Sequence, residues 1–170
     1  RLKAGVNKAK SLNLKIFFSA KTHKEGMLFR AIVTERSTWQ YEISEYLQTH
    51  LALLAINDQF KVRNSEGVVN FLRDDNPRSC TVFSVDVVDL FYSLPHNELM
   101  NAVLKCITLY NDEEQFIRRC GISVSSFLEL LSLYLKPMSV EWEGKFYTQR
   151  AGVCIGSRVA PVLLYFFVLC

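Results

Sequence analysis

The sequence has few residues of the kinds that build disulfide frameworks or zinc sites. Its five cysteines are odd in number and show no Cys-x-x-Cys spacing, and its three histidines are scattered. This pattern indicates free thiols in a protein that stays inside the cell, in the nucleus or the cytoplasm, and is not secreted. Repeats with a period of about 20–50 residues and low-complexity tracts are also missing, which excludes solenoids and disordered tails.

Long hydrophobic runs are missing as well. The uncharged stretch 159–170 has 12 residues, whereas a membrane-spanning helix needs about 20. The apolar stretch 16–20 is too short for the core of a signal peptide. We therefore expect no membrane partner, and we expect residues 159–170 to begin a buried helix. Because that run reaches the last residue and the chain starts with Arg1, we expect a piece of a longer protein.

What the sequence does contain is ordinary in amount and uneven in distribution. A chain of 170 residues with 49% hydrophobic and 22% charged residues suits one globular unit. The net charge is +3, of which residues 1–36 carry +7 and the remainder −4. A basic segment beside an acidic body suits a polyanionic partner for the first and a cation for the second. A basic face that is merely solvated is the alternative.

Residues 81–88 carry a charge in an apolar setting. Their β-branched and aromatic composition predicts a strand, buried on both sides between helical patterns, with Asp86 as its one charge. An unpaired carboxylate there costs several kcal/mol. An arginine, backbone N–H groups or a divalent cation can compensate it. Asp89 follows three positions later, and since Mg²⁺ prefers carboxylate oxygens, the pair favours the cation.

Two β-hairpins are predicted on either side of this segment. Strands at 15–20 and 27–34 are joined by a basic tip that ends in Gly26, and strands at 140–142 and 145–148 turn about Glu143 and Gly144. The first hairpin presents cations suited to phosphate contacts, although surface charges on a hairpin are usually only solvated.

Apolar residues at helical spacing predict the remaining elements. A capping box of Ser37 and Gln40 opens one helix with a core face, and Ser65 caps a second. After the carboxylate strand, Pro95 lies in the first turn of a third. Helices over 111–119 and 127–135 follow, and we expect these last three helices to pack against the sheet that carries Asp86.

Asp-Val-Val-Asp-Leu-Phe-Tyr-Ser-Leu-Pro-His, from Asp86 onward, resembles the first catalytic motif of reverse transcriptases, particularly those of Penelope-like retroelements. The resemblance implies that Asp86 is the catalytic residue and the metal ligand. It implies further that Asp89 lies against the incoming triphosphate. Phe91 would lie under the sugar, where a bulky ring excludes a 2′-hydroxyl and selects deoxynucleotides.

The first hairpin is similar to the finger segment of the same family. Lys-Thr-His-Lys-x-Gly-x-x-x-Arg runs from Lys21 to Arg30, and Ala31 stands where the family usually has Pro. The resemblance implies that Arg30 and Lys21 bind the triphosphate of the incoming nucleotide.

A third motif begins at Gln149, where Gln-x-x-Gly-x-x-x-Gly-Ser-x-x-x-Pro resembles the second conserved motif of reverse transcriptases. Arg158 stands where many relatives have Pro. The resemblance implies that Gln149 and Gly152 touch the incoming nucleotide and its templating base. From its position, Ser157 is expected to cap the closing helix.

Together the motifs imply an α+β fold, with fingers (1–79) and a partial palm (80–170) of a right-hand polymerase that stops before the aromatic-x-Asp-Asp hairpin and the thumb. The implied function is an RNA-directed DNA polymerase of a transposable element that uses two Mg²⁺ ions, an RNA template, a DNA primer and deoxynucleoside triphosphates. Its other metal carboxylates are absent from this chain, so the chain alone is expected to be inactive. The alternatives are a non-catalytic nucleic-acid-binding remnant and an unrelated Mg²⁺-dependent phosphohydrolase that uses Asp86 and Asp89.

Overall fold

The computed structural model of the chain describes residues 2–22, 26, 28–54, 62, 64–74, 81, 83–136 and 139–169. These residues form a mixed α and β fold with one four-stranded sheet. Its helices are α1 (Leu2–Val6), α2 (Trp39–Leu51), α3 (Ser65–Asp74), α4 (Leu90–Ser93), α5 (His96–Leu109), α6 (Glu113–Cys120), α7 (Val124–Leu135) and α8 (Ala160–Leu169). Within the described ranges, none of these helices combines the length and the apolar character that a membrane crossing requires.

The sheet has the strand order β2-β1-β3-β4. Strands β1 (Leu14–Ala20) and β2 (Phe29–Thr34) form one antiparallel hairpin, and β3 (Ser139–Trp142) and β4 (Lys145–Thr148) form another. Strands β1 and β3 pair in parallel and join the hairpins. Both predicted hairpins are therefore confirmed, and strands from both sides of residue 79 share one sheet.

The helices that follow residue 95 are found and end as predicted, but α6 begins at Glu113 rather than at 111, and α7 begins at Val124 rather than at 127. Asp112 caps α6 by accepting a hydrogen bond from the Gln115 N–H at 2.9 Å, and Gly121 ends the helix in a left-handed conformation. The Ser123 hydroxyl caps α7 by accepting from the Ser126 N–H at 3.2 Å. Satisfying the free N–H groups of the first turn in this way stabilises the N-terminal ends of α6 and α7. Pro95 precedes α5 at its N-cap position rather than lying inside the first turn.

One side of the sheet faces the hydrophobic core. Leu14, Val33 and Val140 lie on that side and are buried, with helices α2, α5, α7 and α8 around them. The residues predicted to form the apolar faces of α2 and α5 are buried, except Leu54: Ile43, Leu47, Leu51, Leu99, Val103 and Ile107. Leu54 lies beyond the end of α2 and is partly buried against the core. Helix α8 is buried along much of its length, as expected for the apolar run at 159–170.

The prediction of a strand at residues 81–88 is wrong. Residues 83–87 belong to no strand, and Phe83 and Val85 are 81% and 82% exposed. The sheet therefore does not carry Asp86, and the helices after residue 95 do not pack against such a strand. β-Branched residues favour an extended backbone, but a strand also needs a neighbour for its N–H and C=O groups, and no strand of the described residues pairs with this segment.

Helix α3 is found as predicted, but the prediction that its apolar face belongs to the core is wrong. All of its residues are exposed, and its apolar side chains are 43–60% exposed: Val68, Val69, Phe71 and Leu72. Asn64, not Ser65, caps it by accepting a hydrogen bond from the Gly67 N–H at 3.0 Å. The predicted end of this helix at residues 76–77 lies outside the described residues.

The prediction of a capping box at the start of α2 is also wrong. The helix begins at Trp39, and Thr38 occupies the N-cap position without a side-chain cap. The Thr38 hydroxyl donates instead to the Glu35 carbonyl at 2.7 Å. Ser37 has a positive φ of 66° in the turn before the helix, and Gln40 is buried. The chain makes a tight turn here because β2 must reverse into α2.

Replacing Leu131 with Ala should lower the free energy of unfolding by about 2–5 kcal/mol, because the Leu131 side chain is fully buried and its loss leaves a cavity. The matched change Leu133→Ala, on the exposed side of α7 at 48% exposure, should alter it by no more than about 0.5 kcal/mol. Urea unfolding followed by circular dichroism measures both values. Equal losses in the two variants would contradict the described packing of α7.

Candidate functional site

Three segments that are distant in sequence meet beside β2. They are the outer edge of β2, the turn and short helix at residues 89–93, and the loop at residues 149–159. Hydrogen bonds join them in pairs: Val33 N–H to the Ile155 carbonyl at 2.9 Å, Val153 N–H to the Phe91 carbonyl at 2.7 Å, and the Tyr92 hydroxyl to the Ala31 carbonyl at 3.2 Å. Each of the three motifs of the sequence contributes one of these segments.

Gly152 allows the loop to lie directly on the segment after Asp89. Its φ is +74°, and a Cβ at this position would lie 2.7 Å from the carbonyl carbon of Tyr92 and closer still to the carbonyl oxygen of Phe91. The Gly152 carbonyl accepts a hydrogen bond from Nε2 of His96 at 2.7 Å. The loop is thus held against both α4 and the first turn of α5, and a side chain at Gly152 would push it away.

Gly156 makes the corresponding approach to β2. Its φ is +104°, and a Cβ would lie 2.5 Å from the Val33 carbonyl oxygen. Together with the hydrogen bond from the Val33 N–H to Ile155, this contact fixes the far end of the loop on the outer edge of the sheet. Both glycines of the motif are therefore required by contact with a neighbouring backbone.

Arg30 and Asp89 lie near the same tyrosine. Burial raises the pKa of Tyr92, the Arg30 charge acts to lower it, and the Asp89 charge acts to raise it. Asp89 has a left-handed backbone with φ 52°, and its carboxylate makes no capping hydrogen bond to α4. The charges of an exposed cation and an exposed carboxylate from two different motifs therefore both act on the Tyr92 hydroxyl.

The other predicted site residues are less closely connected. Within the described ranges, no side-chain hydrogen bond or ion pair joins Lys21 or the exposed Asp86 to another group. Gln149 is engaged inside its own loop: its Nε2 donates to the Ala151 carbonyl, and the Cys154 thiol donates to its Oε1, both at 2.9 Å. As it stands, Gln149 shapes the loop that carries Gly152.

Asp86 and Asp89 are the hard oxygen donors nearest in sequence to the assembled segments. Both are exposed, so a Mg²⁺ ion bound by them could keep the water and phosphate ligands that this cation prefers. Among the residues that the structure describes, no group of three or more His, Cys, Asp or Glu side chains could hold a metal ion. The burial that was expected to require a compensating cation at Asp86 is not found, because Asp86 lies on the exposed segment described above.

Among the residues that the structure describes, the buried carboxylate is Glu35, which was not predicted from the sequence. Glu35 is only 3% exposed and follows directly after β2. Its Oε1 accepts a hydrogen bond from the Tyr134 hydroxyl, which also bonds with the Ser157 hydroxyl. Ser157 Oγ in turn accepts from the Val159 N–H at 3.3 Å. Ser157 therefore links the loop to α7 and Glu35, and the prediction that it caps α8, which begins at Ala160, is wrong.

Burial raises the pKa of the Glu35 carboxyl, and hydrogen bonds from Tyr134, Ser44, Ser157 and the Arg158 backbone only partly offset that effect. Its Oε2 is shielded from solvent and has no well-formed hydrogen bond within the described part of the chain. The Ser44 hydroxyl is close, but it donates to the Tyr41 carbonyl at 2.9 Å. The desolvation of the charged form therefore dominates.

The alternation of side chains between the two faces of β2 could have predicted that Glu35 is buried. Residues at even spacing along a strand share a face, and Glu35 is two positions after the buried Val33. Continuing the pattern by one step places its carboxylate on the core side. The sequence analysis counted Glu35 only as a charge of the basic segment.

Arg158 anchors the loop to α2. Its guanidinium lies 4.2 Å from the centre of the Tyr41 ring, donates to the Tyr41 hydroxyl and forms an ion pair with Glu45 at 3.2 Å. An open cleft of about 610 Å³ lies beside it, bordered by Glu35 and Arg36 among others. Arg158, which stands where the resembled motif often has Pro, thus has a structural role of its own.

Replacing Gly152 with Ala should lower the free energy of unfolding by about 3 kcal/mol or more, because a left-handed backbone and a backbone clash act together. Gly144 has a similar φ of +72°, but no atom lies within 4 Å of a Cβ there. The control Gly144→Ala should therefore cost only about 1–2 kcal/mol. Urea unfolding compares the two, and equal costs would show that Gly152 does not contact Phe91 and Tyr92.

Replacing Glu35 with Gln should change how stability depends on pH. Because the folded-state pKa of Glu35 is raised above its ordinary value of 4.5, the folded protein binds its proton more tightly than the unfolded chain does. The parent's free energy of unfolding should therefore fall as the pH rises from about 4.5 through the raised pKa.

The Glu35→Gln variant should lose that fall and exceed the parent in stability at the upper end of this pH range. Urea unfolding at a series of pH values tests this, and Glu129→Gln, at an exposed position of α7, controls for the change in net charge. A variant with the same pH dependence as the parent would show that Glu35 titrates as an ordinary exposed carboxylate.

No protein-family model, no curated protein and no solved structure matches this chain.

Proposed function

We propose that this chain is the nucleotide-binding part of a reverse transcriptase of a Penelope-like retroelement. The observation that carries the proposal is the convergence of three separate motif segments. The edge of β2 that bears Arg30, the turn that bears Asp89 and Phe91, and the loop that bears Gly152 are joined by hydrogen bonds. Chance resemblance at three places in the sequence gives no reason for these segments to meet.

In the proposed reaction, the 3′-hydroxyl of a DNA primer attacks the α-phosphate of a deoxynucleoside triphosphate that is paired with an RNA template. Arg30, with Lys21, binds the triphosphate, because a guanidinium can form two parallel hydrogen bonds to phosphate oxygens. Asp86 binds the metal, and Asp89 lies against the triphosphate. Mg²⁺, when bound, activates the attacking oxygen and neutralises charge on the leaving pyrophosphate.

Phe91 excludes the 2′-hydroxyl of a ribonucleotide in this proposal. Its side chain is partly buried against the hydrophobic core, and its carbonyl accepts the hydrogen bond from Val153. A ring that is fixed at both its backbone and its side chain can discriminate by shape, because it does not yield to an extra hydroxyl. Gly152 permits the loop to approach the nucleotide and the templating base, and Gln149 keeps that loop in shape.

A non-catalytic nucleic-acid-binding module is the second candidate. It is favoured by the position of Asp86 on an exposed segment that pairs with no described strand. Such a module keeps the basic hairpin and binds polyanions without needing the carboxylates.

Titration of the chain with a deoxynucleoside triphosphate and Mg²⁺ in a calorimeter tests the proposal. Arg30→Ala should weaken binding about tenfold or more, since a hydrogen bond to a charged group contributes about 1.5–3 kcal/mol. The matched control Arg119→Ala, at an exposed position in the last turn of α6, should leave the affinity unchanged. Asp86→Ala should abolish the dependence of binding on Mg²⁺.

Two results distinguish the candidate functions, and a third would refute both of them. Triphosphate binding that requires both Arg30 and Asp86 supports the polymerase. Binding to polyanions that is weakened by salt and by Arg30→Ala but is insensitive to Asp86→Ala supports the module instead. Triphosphate binding that is unaffected by Arg30→Ala refutes both.

A further inference from the structure

The sheet has a second side that faces away from the core. Leu14, Val33 and Val140 are buried on the core side, so the residues that alternate with them lie on the other side. The strand register aligns them across the sheet, with Lys15 beside Glu141, Glu141 beside Phe146, Phe17 beside Ile32 and Ser19 beside Arg30. We call this surface the open face.

The open face carries exposed aromatic side chains. Phe17 is 51% exposed and Phe146 is 63% exposed. A sheet face that meets only water is usually polar, because alternation places the apolar residues on the core side. The exposed rings of this face are therefore available to stack on a ligand.

Cations lie near Phe17, and the acid Glu141 lies directly beside Phe146. Lys15 and Arg30 lie on the open face, and Lys21 continues the same alternation along β1, while Glu141 is the one acid among the strand residues of this face. The face is therefore net positive, which favours an anionic partner and opposes pairing with the open face of a second copy.

We propose that the open face binds single-stranded nucleic acid, with Phe17 and Phe146 stacking on bases and Lys15 and Arg30 contacting phosphates. Aromatic rings on a net positive face suit this ligand, because unpaired bases expose flat faces while the backbone carries the charge. From the spacing of strands and residues, the two rings stand about 12 Å apart. Each ring can therefore stack on a different base.

The open face continues into the candidate site. A Cβ on Gly156 would lie 3.2 Å from the Ile32 side chain, so the loop that carries Gly152 borders the open face at β2. This inference rests on the proposed function in so far as Arg30 takes part in both. It adds that the unpaired strand crosses the sheet from β4 to β1 before it reaches the nucleotide.

Fluorescence anisotropy with end-labelled oligonucleotides of about 12 bases tests the inference. The probes are oligo-U RNA, oligo-dT DNA and a DNA duplex of the same length. The double variant Phe17→Ala, Phe146→Ala should bind both single strands at least tenfold more weakly than the parent. The control Phe29→Ala, an equally exposed ring on the opposite side of β2 at 59% exposure, should bind them as the parent does.

The salt dependence separates stacking from charge. The double aromatic variant should keep the parent's slope of log affinity against log salt, while Lys15→Ala should reduce that slope by about 0.7, the value for one phosphate contact on a single strand. Equal melting temperatures of all variants, measured by circular dichroism, show that the effects are not due to unfolding.

Several outcomes would overturn the inference. One is that the aromatic substitutions leave the affinity for single strands unchanged. Another is that Phe29→Ala weakens this affinity as much as the double variant does. A third is that the duplex binds as tightly as the single strands and loses as much affinity in the double variant. A dimer in sedimentation that the double variant abolishes, without oligonucleotide binding, would assign the open face to a second copy. Because triphosphate binding is measured separately, the proposed function could survive each of these results.

Discussion

Backbone contact at two glycines holds the candidate site together. Gly152 lies against the carbonyl of Phe91, and Gly156 lies against that of Val33. Hydrogen bonds from Val153 to Phe91 and from Val33 to Ile155 accompany these contacts. Since neither contact leaves room for a Cβ, the loop relates β2 to α4 only because both positions lack a side chain. The Tyr92 hydroxyl adds a direct hydrogen bond between the other two segments.

A buried carboxyl supports this arrangement from the core side. Glu35 joins the end of β2 to Tyr134 of α7 and, through Ser157, to the loop between the glycines and α8. Burying a carboxylate is unfavourable unless it is well hydrogen-bonded, and the raised pKa of Glu35 shows that its hydrogen bonds only partly offset the loss of water. The candidate site is therefore coupled to the core by a polar cluster that stabilises the protein best when Glu35 is protonated.

The two sides of the sheet have different chemistry, and the strand register decides which residue lies on which side. On the core side, apolar residues of three strands meet the helices. On the other, the exposed rings of Phe17 and Phe146 share the surface with Lys15, Arg30 and Glu141. Arg30 belongs to this second side and also lies close to Tyr92 of the candidate site. If both proposals hold, a surface for a polyanionic strand and a site for a triphosphate share this one basic hairpin.

Much of the fold follows from short-range signals in the sequence. Both hairpins, the C-terminal ends of α6 and α7 and the buried faces of α2 and α5 were predicted, because turn glycines, helix-ending residues and hydrophobic spacing act within a few residues. The caps predicted at Ser37, Ser65 and Ser157 were wrong. The structure brings the three motif segments together, with Gly152 against the carbonyl of Phe91, a contact that was not predicted. The roles assigned to them by family resemblance remain predictions.

The amino-acid sequence by itself determined local backbone conformation and the residues available for chemistry. Only the tertiary structure decided burial, because burial depends on which elements meet. Composition suggested that Asp86 was the buried charge and that residues 81–88 were a strand, but no described strand pairs with that segment, and water reaches it. The buried carboxylate is Glu35 instead, because Tyr134 and Ser157, which are distant in sequence, close over it.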